Sequence, residues 1–147
     1  MSDALPLYWS AAYLDVFVDA LRADADFLKA CRKFDGVVIL RCLDTPEGED
    51  VEAVYHLANG TVRVERFAEK APSASLRNEP FDGARAFART TAPYRVWMKL
   101  DRGEMNVLQA IASPDYHVEG PKLRIMANIG LFNAMAAVGA RTPKRFA

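Results

Sequence analysis

Two rhythms of hydrophobic and polar positions run along this chain, and they meet between Lys122 and Val138. Over 122–127, Leu123, Ile125 and Ala127 fall on one side of a period of two, with Lys122, Arg124 and Met126 on the other. That alternation predicts a strand with one buried face. Asn128 is placed to cap the helix that follows, because its side-chain oxygen can accept from free backbone N–H groups. From Ile129 to Val138, the residues Ile129, Leu131, Phe132, Met135 and Val138 are spread around nearly the whole helical circumference, interrupted by Asn133 and stopped by Gly139. A helix apolar all round is either buried or touches something apolar that is not protein.

Upstream, Leu14, Phe17, Val18, Leu21, Ala25 and Leu28 recur at helical spacing, which predicts one amphipathic helix over Ser10–Lys33. Asp15, Asp19, Arg22, Asp26 and Lys29 form its solvated stripe. Gly36 ends it, and Val37–Leu43 reads as a buried strand. Val51–Leu57 alternates, with Val51, Ala53, Tyr55 and Leu57 on one face, and Thr61–Phe67 returns as its partner. Asn59-Gly60 between them is the strongest hairpin signal, since both turn positions need φ > 0. Ala74–Asn78 reads as a short fourth strand, making an antiparallel sheet over about 36–78. Helices are expected at Phe81–Thr90, at Tyr94–Asp101 behind Pro93, and at Met105–Ala112 before Pro114. Asp115–Pro121 is a loop or an edge strand.

At 147 residues the chain is expected to form a single domain, 1–147, with a real core. Its 19 basic and 19 acidic residues balance, so no net field draws it toward nucleic acid. No run approaches the ~20 apolar residues that span a bilayer, and no signal peptide is visible. Cys31 and Cys42 fit no metal or redox spacing and read as buried free thiols, which points to the cytoplasm. The C-terminus carries no Ser-Lys-Leu address.

Catalytic chemistry finds little footing. The closest glycines, Gly130 and Gly139, are nine apart, so no phosphate cradle is formed. Lys99 misses by one residue the spacing from Tyr94 that a dehydrogenase acid/base pair needs. There is no Gly-x-Ser-x-Gly elbow, and neither cysteine has a histidine nearby. His56 sits mid-strand, where a surface role is the ordinary one. His117, with Asp115, Tyr116 and Glu119 around it, could act in acid–base chemistry if it borders a pocket, although such residues are common in loops. No metal or cofactor is indicated. Trp97, Leu100, Leu108, Ile111, Phe132 and Met135 each read singly as core. Together they put several short apolar helices over one small sheet, an arrangement that leaves a cavity if the helices do not pack tightly.

The order of elements, with Trp97-x-x-Leu100-x-x-Gly103-Glu104-Met105, then Gly120-Pro121-Lys122-Leu123-Arg124-Ile125 and Asn128-Ile129-Gly130-Leu131, resembles the sterol carrier protein type 2 family. The resemblance covers roughly Phe34 to Val138. It implies an α+β fold, a five-stranded, mostly antiparallel sheet covered on one face by helices, with an apolar tunnel for fatty acyl chains, acyl-CoA or sterols and no covalent chemistry. By resemblance, Trp97, Leu100, Leu108, Leu123, Ile125, Leu131, Phe132 and Met135 line or gate that tunnel, and Ile111 joins them from the helical pattern. Arg95, Lys99, Lys122 or Arg124 could steady a ligand's carboxylate or phosphate head, although snorkelling on the surface is the ordinary role for such residues. Two stretches depart from the pattern: Ala127-Asn128 stands where the family has Gly-Asn or Gly-Asp, and Pro114–Glu119 is inserted.

The sequence therefore leads to non-enzymatic carriage of a small hydrophobic ligand. Its rivals are a small enzyme using the His117 loop and a subunit docking a partner through its apolar C-terminal helix, a second copy of the chain being one candidate partner.

Overall fold

The structure, a computed structural model, describes residues 4–146. Ser10 opens α1 (Ala11–Ala23) by accepting from the Tyr13 N–H at 3.2 Å. The long helix expected over 10–33 is broken at Asp24, which ends α1 and starts α2 (Ala25–Cys31). Its carboxylate accepts from the Phe27 N–H at 2.8 Å, and that local bond competes with helix continuation.

Next come β1 (Asp35–Leu43), β2 (Glu49–Ala58) and β3 (Thr61–Lys70) as a meander. The β2–β3 turn has φ of 50° at Asn59 and 84° at Gly60, as its Asn-Gly signal requires. Ala74–Asn78 is not a strand but the helix α3, capped by Ser73, whose hydroxyl accepts from the Leu76 N–H at 3.1 Å. The expected helix over Phe81–Thr90 is also absent. Its second half is β4 (Ala88–Pro93), which lies parallel to β1 with Thr91 level with Arg41. Tertiary pairing, supported by β-branched Thr90 and Thr91, overrides the local helical pattern.

The helix α4 (Tyr94–Asp101) follows directly and Gly103, at φ 75°, turns the chain after it. A reciprocal cap between Asn106 and Gln109 starts α5 (Val107–Ile111). The ambiguous segment supplies the fifth strand, β5 (His117–Glu119), antiparallel to β4. Lys122–Ala127 is the helix α6 rather than a strand, and α7 (Ile129–Arg141) runs on through Gly139. Asn128 does not cap α7 with its side chain. It closes α6 instead, donating from Nδ2 to the Arg124 carbonyl at 2.8 Å.

The sheet order is β3-β2-β1-β4-β5, with the β1–β4 pair parallel and the rest antiparallel. Alternation then sorts each strand between two faces. Val38, Leu40 and Cys42 of β1, and Ala53, Tyr55 and Leu57 of β2, face the main core with α1, α2, α4 and α7. The opposite face is covered in part by α3 and the turns around 81–87, where Ile39, Val54 and Ala86 form a small second cluster. Cys31 and Cys42 are buried free thiols. The expectation that α7 is apolar all round resolves simply: Leu131, Met135 and Val138 are buried, while the outward side presents Gly130, Asn133, Ala137 and Ala140.

Candidate functional site

Between the helices and the sheet lies a mostly apolar cavity with a free volume of about 120 Å³. Its floor is the inward face of the sheet: Leu40 of β1, Val51, Ala53 and Tyr55 of β2, and Ala88 and Thr90 of β4. Its walls come from Leu14 and Phe17 of α1, Trp97 and Leu100 of α4, Val107 and Ile111 of α5, and Phe132 and Met135 of α7. Ile125 of α6 and Tyr116 and Val118 around β5 close the β4–β5 side. Ala136 of α7 lines the cavity and is exposed.

Hydrogen bonds and ring contacts place the aromatic groups. The Trp97 indole N–H donates to the carbonyls of Arg41 at 3.0 Å and Ala92 at 3.1 Å, which anchors the ring at the end of β4. Its ring lies 5.2 Å from Trp9 and 5.6 Å from Tyr116. Burial raises the Tyr116 phenol to about 12, a hydrogen bond with Thr90 working the other way. Tyr13 stacks on Phe17 at 5.8 Å, and Phe17 meets Tyr55 edge-on at 6.3 Å. Burial pushes the phenols of Tyr8, Tyr13 and Tyr55 well up, so all stay neutral at physiological pH.

A few polar groups break the apolar lining. Asp101 is held by Lys144, whose ammonium donates to both carboxylate oxygens at 2.8 and 2.7 Å and to the Gly139 carbonyl at 2.6 Å. Burial raises the Asp101 carboxyl above its ordinary pKa, although Lys144 opposes the shift. The Trp9 indole nitrogen and Arg66 Nε are both buried without a hydrogen-bond partner among the described residues. Among those residues no group of three His, Cys, Asp or Glu side chains could hold a metal. None of these groups is set up as a nucleophile with a base.

Of the residues expected at the site, Trp97, Leu100, Ile111, Ile125, Phe132 and Met135 converge on this cavity. Three do not. Leu131 is buried in the core beside it, Leu108 is 54% exposed, and Leu123 is 88% exposed because α6 is a helix that turns it outward. The contributions of α1 and of the sheet floor were not singled out as site residues, although the stripe holding Leu14 and Phe17 and the β2 face holding Val51, Ala53 and Tyr55 are legible as inward-facing. Tyr8, Trp9 and Arg66 carried no signal. Arg95 pairs with Asp115 at 3.0 Å on the surface, and Lys99 and Arg124 line neither this cavity nor the cleft described below. His56 meets Glu65 at 2.7 Å on the far face of the sheet, away from the cavity.

Solved structures share this architecture. A crystal structure of sterol carrier protein 2 superposes with a TM-score of 0.72 at 15% identity, covering 92% of this chain and 98% of its own. The solution structure of a conserved protein of Thermus thermophilus gives 0.68 at 14% identity, covering 98% of this chain and 97% of its own. Sterol carrier protein 2 of Yarrowia lipolytica, in its apo form, gives 0.58 at 14% identity, covering 96% and 97%. No protein-family model matches the chain, and no curated protein matches it in sequence. The chain thus has the sterol carrier protein 2 fold, an α+β arrangement of helices on a five-stranded, mostly antiparallel sheet. Among the described residues no helix is long and apolar enough to cross a membrane.

Proposed function

We propose that this protein binds and carries a small hydrophobic ligand, an acyl chain or a sterol-like lipid, in the apolar cavity between the sheet and helices α1, α4 and α7. The observation that carries the reading is the cavity itself, sited inside a fold shared with sterol carrier protein 2 and walled by rings and aliphatic side chains. Apolar cavities of this order stay dry and accept apolar guests. As it stands, the free volume suits a ring or a short chain. A longer chain needs side chains such as Phe132 and Tyr116 to swing aside, and each methylene then buried contributes ~0.8 kcal/mol toward that cost. A chain of twelve carbons thus gains on the order of 10 kcal/mol in gross burial, from which the costs of association and of moving those side chains are subtracted. The carrier role involves no covalent step and no cofactor.

The test is uptake of a fluorescent fatty acid by delipidated protein. Phe132→Asp and Met135→Asp are expected to abolish uptake, and unchanged affinity in both variants, with folding retained, would rule out the proposed cavity wall.

A further inference from the structure

On the other face of the sheet, toward the β4–β5 edge, lies a second and larger cleft of about 720 Å³. Its floor follows from strand register. Glu52, Arg41, Thr91 and His117 form one row across β2, β1, β4 and β5, while the neighbouring residues Leu40 and Thr90 point into the apolar cavity. Arg41 is only 2% exposed, yet its Nε and Nη2 have no hydrogen-bond partner among the described residues. The nearest carboxylate, that of Glu52, stands 3.6 Å from Nε, too far for a hydrogen bond. The Thr91 hydroxyl beside it is also buried and without a partner among those residues.

The other arginines of the cleft are satisfied. Arg89 holds Glu119 at 2.9 and 3.2 Å and the Glu79 carbonyl at 2.9 Å, and Arg77 holds Asp44 and Asp50. Arg41, Arg77, Arg89 and Lys122 line the cleft with Glu79 and Glu119, and Asp44, Asp50 and Glu52 stand close to these arginines, so what marks the cleft is the idle donors of Arg41 rather than a net positive charge. A buried guanidinium with idle donors is costly, and burial together with Arg89 lowers the Arg41 pKa. An oxyanion set on Arg41 as Glu119 is set on Arg89 removes that cost through charge-assisted, forked hydrogen bonds.

We infer that this cleft binds an oxyanion, a carboxylate or a phosphate, on the Arg41 guanidinium, with the Thr91 hydroxyl and His117 beside it. Ile111, Tyr116, Val118 and Ile125 line both this cleft and the apolar cavity. One amphipathic molecule can thus place its chain among the helices and its anionic head on Arg41. This last step rests on the lipid reading, whereas the anion site does not.

The experiment titrates the delipidated full chain with inorganic phosphate, dodecyl phosphate and dodecanol, reading the arginine Nε–H signals by NMR. Dodecyl phosphate is expected to shift the Arg41 signal. Arg41→Met should weaken its binding about 10- to 100-fold and Thr91→Val about three- to tenfold, with dodecanol binding within about twofold of wild type. If Arg41→Met does not fold, Thr91→Val and the wild-type signal carry the test. Inorganic phosphate shifting Arg41 as effectively as dodecyl phosphate supports the site and assigns it to a free anion. Phosphate shifting Arg41 while dodecanol fails to bind supports the site and removes the lipid reading. No shift of Arg41 with either phosphate, or a loss of dodecyl phosphate binding confined to Arg66→Met, overturns the inference.

Discussion

Lys144→Met removes the cation from the best-satisfied buried ion pair in the helical layer. The Asp101 and Lys144 side chains are 7% and 4% exposed, and Lys144 supplies both hydrogen bonds to the carboxylate. Without it the carboxylate is left charged and unpaired at the edge of an apolar cavity. Breaking one partner of such a pair costs about 3–5 kcal/mol at neutral pH. For a chain of this size each kcal/mol moves Tm by about 3 °C, so a fall of about 9–15 °C is expected. The pH dependence has a definite sign. Burial already raises the Asp101 pKa in the folded wild type, and losing Lys144 raises it further. A carboxyl with a raised folded pKa destabilises the folded state when ionised, and that penalty is lifted as pH falls through the folded pKa. The deficit of Lys144→Met should therefore be largest near pH 7 and shrink toward pH 4.5 in urea melts followed by circular dichroism. The double variant Asp101→Leu/Lys144→Met should recover most of the loss at pH 7. A deficit below about 1 kcal/mol, or one that does not change with pH, would refute the reasoning.

Asp50 is fully buried and accepts from the Asp44 and Ser73 amides and twice from Arg77. Burial disfavours its anion, but those bonds outweigh it and hold the carboxyl below its ordinary pKa, so its stabilising effect is present above ~pH 4 and is lost as pH falls through the folded value. Asp50→Asn is expected to cost about 3–5 kcal/mol in neutral denaturant melts and to flatten the acid limb of the stability curve. Gly120 turns the chain between β5 and α6 at φ 135°, where an added Cβ would stand 2.6 Å from the Phe87 carbonyl oxygen. Gly120→Ala should cost about 1–3 kcal/mol and loosen β5, seen as faster amide exchange at Val118. Leu123→Ser, at a position 88% exposed, should change stability by less than about 0.5 kcal/mol and leave fatty-acid uptake intact.

That last variant marks where sequence reasoning stopped. The alternation over 122–127 is real, but six residues hold too few repeats to separate a strand from one and a half turns of helix; Leu123, expected at the tunnel by resemblance, is turned outward by α6. The same ambiguity made a strand of Ala74–Asn78, although Ser73 stood ready as its helix cap. β4 escaped because a strand paired on both sides is fixed by its partners rather than by its own pattern. The Asn59-Gly60 hairpin held, as did the β2 face with Val51, Ala53 and Tyr55 inward, whereas the Gly139 stop and the Asn128 cap did not. The cavity walls were legible from the C-terminal half, through Trp97, Leu100, Ile111, Ile125, Phe132 and Met135, and its floor was legible on β2 but not on β4. Arg41 sits inside a run that reads as apolar strand, so only register revealed that it shares a row with Thr91 and His117.

The chain has two tryptophans, Trp9 and Trp97, and both line the apolar cavity. A fatty acid brominated along its chain quenches tryptophan only at contact distance. Titrated into the delipidated protein, it is expected to quench the fluorescence saturably at one equivalent, with the unbrominated acid competing the effect away. Saturable binding that leaves tryptophan emission unchanged, or no binding at all, would contradict the claim that the guest lies between these helices and the sheet.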